Sequence, residues 1–100
     1  MPAFQVDDVA KADLDNIWDY YDREASEAVA DRQLGRLYQR FQLLAEQPFM
    51  GVARPEFNRA ELRSFGVPST PFIIFYYPRD YGVEIAHVRH GSQDLTNLFE

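Results

Sequence analysis

The sequence predicts an α+β fold, a helical hairpin packed on a mostly antiparallel sheet, in the order β-α-α-β-β-β with a short C-terminal helix. Three observations carry that expectation. Two successive stretches place apolar residues at alternating spacings of four and three. Three later stretches read as strands, separated by breaks rich in proline and glycine. The chain has 100 residues, enough for one compact domain and too few for two.

Phe4 and Val6 flank polar Gln5, a short strand pattern ahead of Asp7 and Asp8. Either aspartate can cap a helix by accepting a bond from its free N–H groups. Ala10, Leu14, Ile17 and Tyr21 then share one face of an amphipathic helix that runs to about Asp22. Ser26 is placed to cap a second helix, with the stripe Ala30, Leu34, Leu37, Phe41 and Leu44. Pro48 disfavours helical geometry at Gln47, so the second helix should end there. Two such helices joined by a few residues form an antiparallel hairpin.

Residues 48–59, with Gly51 and Pro55, read as a loop. Leu62 to Val67 is the next strand, broken by Pro68-Ser69-Thr70-Pro71. Phe72 to Tyr77 follows, then Pro78-Arg79-Asp80-Tyr81-Gly82 as a hairpin turn, then Val83 to His90. Gly91 ends that strand, and Ser92 can cap a final short helix carrying Leu95, Leu98 and Phe99.

Composition narrows the function classes. The net charge of −6 argues against a chain that binds nucleic acid by itself. Residues 1–47 carry ten acids against five bases, and residues 48–100 carry six against five, all arginine. Contact with an anionic partner is therefore expected from the second half. Absence of cysteine excludes disulfides and thiolate metal sites, and fits a reducing compartment. The N-terminus shows no basic segment followed by an apolar run, and Phe72 to Tyr77 is far too short to cross a bilayer. A soluble, cytoplasmic protein is the expectation.

The middle strand is apolar on both faces, with Phe72, Ile74 and Tyr76 on one and Ile73, Phe75 and Tyr77 on the other. Helices gathered on one side can cover only one of these. Three exposed large side chains would forgo about 1.5–3 kcal/mol each. Two covers are available for the second face: the short C-terminal helix, or a partner chain laid across it.

Several runs resemble ParE-type toxins. Asp13-Leu14, Ile17 and Tyr20-Tyr21 are similar to the first helix of that family, and Pro48 with Gly51 to the segment after the second. Leu62 to Val67 leading into Phe72 to Tyr76 continues the likeness, as does the tail from Gly82 through His90-Gly91 to Asp94-Leu95 and Leu98-Phe99. The resemblance implies a fold shared with RelE ribonucleases, and DNA gyrase as target without a nuclease active site. It also implies neutralisation by a ParD-like ribbon-helix-helix antitoxin, through which alone operator DNA is bound. Arg63, Phe72, Ile74, Tyr76 and Arg89 are the expected antitoxin contacts. The chain departs from the family in its acidity, and in carrying His87 where a basic residue is frequent.

Two other functions stay open at this point. A ribosome-dependent nuclease would need groups to activate a 2′-hydroxyl, stabilise phosphate charge and protonate the leaving oxygen. Arg63, Arg79, His87, Arg89 and His90 are the side chains available for that work, or for contact with a target. His87 and Arg89 should share one strand face and His90 the other, so the histidines form no simple acid–base pair. A structural role, a ring nitrogen bonding loop backbone, suits His90 equally. A toxin relic that only binds its antitoxin is the third reading. His87, His90 and Asp94 match no recognised metal spacing, and no cofactor is expected.

Overall fold

The computed structural model describes residues 1–99. Strand β1 (Ala3–Val6) leads into helices α1 (Asp8–Glu24) and α2 (Glu27–Glu46). Strands β2 (Val52–Ala53), β3 (Arg63–Gly66), β4 (Phe72–Arg79) and β5 (Gly82–His90) follow. They form one five-stranded sheet in the order β1-β5-β4-β3-β2. Only the outer β1–β5 pair is parallel; the others are antiparallel.

The helical stripes do what their spacing requires. Ala10 and Leu14 of α1, with Leu37, Phe41 and Leu44 of α2, are buried against Ile74, Tyr76, Val83, Ile85 and Val88. Burying each large side chain is worth about 1.5–3 kcal/mol, so this layer is the main stabilising term. Ser26 caps α2 as expected, its hydroxyl accepting from the Val29 N–H at 3.1 Å. Trp18 ties the hairpin together, its indole N–H donating to Asp31 at 2.9 Å.

Glycine is required at two positions. Gly82 has φ of +141°, and any Cβ there would collide with the Ala3 backbone of the neighbouring β1. At Gly51 a Cβ would lie 2.5 Å from the Tyr76 hydroxyl. That hydroxyl donates to the Pro48 carbonyl at 2.8 Å and accepts from the Gly51 N–H at 2.9 Å. A single buried side chain of β4 thus organises the turn that leaves α2.

Four local expectations need correction. Residues 48–59 are not plain loop: they hold β2 and a 3₁₀ turn, Pro55–Phe57. The β4–β5 turn is shorter than expected, with Arg79 opposite Gly82 and Pro78 inside the strand opposite Val83. Pairing of β3 with β4 stops at Arg63–Tyr76, so Pro78 sits where β4 has no neighbour on that side, and its missing N–H costs little. Asp7 precedes α1 but its side chain makes no capping bond; the Glu84 carboxylate is its neighbour instead.

The tail is the fourth correction. Residues 91–99 form turns and not a helix. Ser92 spends its hydroxyl on His90 Nδ1, at 2.6 Å, and so does not cap. Asp94 accepts from both the Thr96 N–H, at 2.9 Å, and its hydroxyl, at 2.6 Å. Such local side-chain bonds compete with a helix nucleus, and here they win.

The tail nevertheless covers the second sheet face. Phe75, expected to need a further cover, is 0% exposed. The rings of Phe57 and Phe99 lie 5.6 and 5.9 Å from it, and the Arg54 guanidinium stacks 5.3 Å above its centre. Ile73 and Tyr77 are half-buried. The chain therefore shields the middle of this face itself, and of the two expected covers it is the C-terminal segment, joined by Phe57, that supplies it.

Two outcomes test these contacts. Tyr76→Phe strands the buried Gly51 N–H and should cost about 1–3 kcal/mol in urea unfolding, with an unchanged fold. Burial, then the Glu84 carboxylate, push the Asp7 carboxyl up from 3.8 to about 6. The folded chain then binds that proton more tightly than the unfolded chain, so stability falls as pH rises through this window. Asp7→Asn should be more stable than the parent at pH 7, and the advantage should vanish by about pH 4 in unfolding curves taken across the range.

Candidate functional site

Strand β1 pairs with β5 only from Gly82 to Ile85. Beyond that point β5 is an outer edge, and a bulge at Ala86 shifts its register against β4. Helix α1 closes this edge with one side chain. Asp13 is buried, and its Oδ2 accepts from the Val88 N–H at 3.0 Å. The same oxygen lies 3.2 Å from His87 Nδ1, while Oδ1 is 3.6 Å from Arg89 Nη2. Two residues on, the His90 N–H is taken by the Gln93 side chain at 2.8 Å. Side-chain oxygens thus stand in for the strand that is missing.

The register places the expected site residues on two faces. His87 lies opposite Phe75, Arg89 opposite Ile73 and Arg79 opposite Gly82, all on the side away from the helices. Arg63 pairs with Tyr76, and His90 with Phe72, on the helical side. The five residues therefore form no single site; Arg89 and His90 share the lining of one cavity at the end of β5. Most are also engaged. Arg79 binds Glu84 at 2.9 Å and stacks on Tyr77. His87 packs edge-on to Phe99, with centroids 5.1 Å apart, while its Nδ1 faces Asp13. His90 Nδ1 accepts from the Ser92 N–H at 3.1 Å, which is the structural role. Arg63 donates to the Gly51 carbonyl at 2.6 Å and covers the Phe49 ring.

Phe72, Ile74 and Tyr76, expected as antitoxin contacts, are core residues in this fold, at 6%, 0% and 0% exposure. The chain's own helices occupy their face, because both helical stripes face that side of β4. No partner can reach them without opening the core. Of the expected antitoxin contacts, Arg63 and Arg89 stay accessible in part.

Sequence reasoning gave Asp13 no role. A signal existed: a carboxylate beside Leu14 and four residues before Ile17 sits on the buried stripe of its helix, where a charge needs partners. Between α1 and the end of β5 lies a cavity of about 640 Å³. Ile17, Tyr21 and Phe72 floor it, and Asn16, Tyr20 and His90 are on its rim. Arg89 Nε beside it is buried without a hydrogen-bond partner. Among the described residues no group of three His, Asp or Glu is placed to hold a metal ion.

A family model described as the ParE toxin of the type II toxin–antitoxin system parDE matches residues 4–95, from β1 into the tail. The chain belongs to the ParE toxin family. It is a toxin of the ParDE toxin–antitoxin type, a system whose second component is an antitoxin. A solved structure described as the chromosomal ParDE system from P. aeruginosa has the same fold, with a TM-score of 0.74 and 20% identity. The match covers 90% of this chain and 96% of that one. No curated protein matches at the sequence level. Among the described residues, no helix of this ParE chain is long and apolar enough to cross a membrane.

Asp13→Ala should test the edge closure. It leaves the Val88 N–H, His87 and Arg89 without their common acceptor, and should cost about 3 kcal/mol in chemical unfolding. Asp13→Asn keeps an acceptor oxygen and should lose distinctly less. Equal losses would mean that the oxygen kept by asparagine does not close the edge at Val88.

Proposed function

We propose that this ParE-type toxin acts by binding and not by catalysis, with DNA gyrase as its target and a ParD-like ribbon-helix-helix antitoxin as its neutralising partner. Operator DNA is then met only through the antitoxin, consistent with a net charge of −6. The place of action is the cytoplasm, where gyrase works.

The observation that carries this reading is the tie between Asp13, His87 and Arg89. A general base must reach the proton it removes. His87 is only 9% exposed, with the Phe99 ring packed against it, and Arg89 is drawn to the Asp13 carboxylate. Arg63 and His90, which a nuclease would have to recruit, lie on the opposite side of the sheet. Arg63 and Arg89 suit a partner's carboxylates better, since guanidinium binds carboxylate in a fixed fork.

Induced expression in a bacterial host should stop growth and give filaments, with messages left intact. Purified protein should inhibit gyrase supercoiling or trap its cleaved-DNA complex, and the antitoxin should restore activity. Rapid message cleavage on induction, abolished in a folded His90→Ala variant, would replace this reading with a ribonuclease. Growth unaffected at high expression, with gyrase untouched and the antitoxin tightly bound, would leave a relic that binds only its antitoxin.

A further inference from the structure

The sheet ends differently on its two sides. The free part of β5 has its outward N–H groups taken by Asp13 and Gln93. At the other end, among the described residues, no side chain bonds the backbone of Val52 or Ala53 in β2. The Arg54 N–H bonds back to the Leu62 carbonyl at 2.9 Å, so alternation turns the Ala53 N–H and carbonyl outward. This edge is open for hydrogen bonding.

Its surroundings are apolar and cationic. Phe49 is 71% exposed and Val52 68%, with Met50 between them in sequence also exposed. Large apolar side chains left in water at adjacent positions mark a contact surface. Arg63, opposite Ala53, lies on the same face as Phe49 and stacks on its ring at 5.0 Å. Arg63 has backbone carbonyls as partners, and no carboxylate among the described residues lies within 4.0 Å of it. On the other face Val52 stands beside Ser64, to which Arg54 donates at 2.8 Å while its Nε pairs with Glu56 at 2.8 Å. One face of this edge therefore offers the Arg63 guanidinium, and the other the apolar side chain of Val52.

We infer that the outer edge of β2 is a docking edge for an extended segment of the antitoxin, alternating apolar and acidic residues, which adds as a sixth strand. This rests on the toxin–antitoxin reading above. Backbone pairing supplies register and affinity, and the row of side chains on each face supplies selection. Alternation sends the apolar residues to the face of Val52 and the acidic ones to the face of Arg63. A second copy of this chain is the wrong occupant, because antiparallel edge pairing would set Arg63 against its own copy. A very short strand flanked by charge is the usual guard against self-pairing, and it leaves the edge selective for an acidic strand.

The test is a ¹⁵N NMR titration of the isolated protein with a nine-residue Val/Glu alternating peptide and its Val/Lys counterpart, to millimolar concentration. The acidic peptide should shift the amides of Phe49 to Ala53 and of Arg63 and Ser64, more weakly as salt rises. Arg63→Glu should weaken binding about fivefold, the scale of one exposed ion pair. Ala53→Pro removes only the outward donor and should abolish binding. If that change disturbs the strand, Val52→Asp, at an exposed side chain, should weaken binding in its place. Equal binding of the basic peptide, shifts confined to α1 or the tail, no binding at all, or unaltered binding by both edge variants would overturn the proposal. Growth arrest relieved by the antitoxin is read separately. If it holds while the peptide fails, only this edge is lost; if the peptide binds without toxicity, the toxin reading is lost.

Discussion

The Asp13 carboxylate stands where a longer β1 would have bonded β5, and much of the molecule is arranged around that substitution. One oxygen satisfies the Val88 N–H, and the pair of oxygens gathers His87 and Arg89. A buried carboxylate without partners would be strongly unfavourable, so the three groups and the helix that carries Asp13 hold one another in place. The direction of two of the most reactive-looking side chains follows from one contact, made next to the bulge at Ala86.

The side of the sheet without helices is likewise a finished surface. Sequence logic demanded a further cover for it, because two helices cannot shield both faces of an apolar strand. The structure meets the demand with Phe57 from the 3₁₀ turn and Phe99 from the tail, both against Phe75. Neither comes from a regular element of any length, which is why their contribution was invisible in the pattern of spacings. Arg54 completes the cover by stacking on Phe57 and Phe75. An obligate companion is thus unnecessary for burying the core. A partner binds this protein because of what its surface offers, and the apolar residues that surface leaves in water include Phe49 and Val52, but not Phe72, Ile74 and Tyr76.

Legibility in the sequence followed the range of the forces involved. The helices were readable because their stripes repeat over several turns, and Ser26 marked the start of the second. Strands β3, β4 and β5 were readable from apolar runs bounded by proline and glycine, although Pro78 hid the last part of β4. What failed was decided by single contacts between residues far apart. Nothing near Asp13 announces Val88, and nothing near Phe99 announces Phe75. The tail misled for the opposite reason: Ser92 and Asp94 have the right types for a helix start but bond to His90 and Thr96 instead. The division of the arginines and histidines between two faces was legible for His87, Arg89 and His90, which lie on one strand. It was not legible for Arg63, whose face depends on register with β4.

Asp13 closes the free edge of β5 and fixes the direction of His87 and Arg89. Amide hydrogen exchange of the isolated protein measures that closure directly at Val88. The Val88 N–H should exchange as slowly as core amides of β4 such as Ile74, opening only when the whole chain unfolds. Exchange at the rate of an open strand edge, with Ile74 still protected, would put the carboxylate elsewhere and contradict the closure.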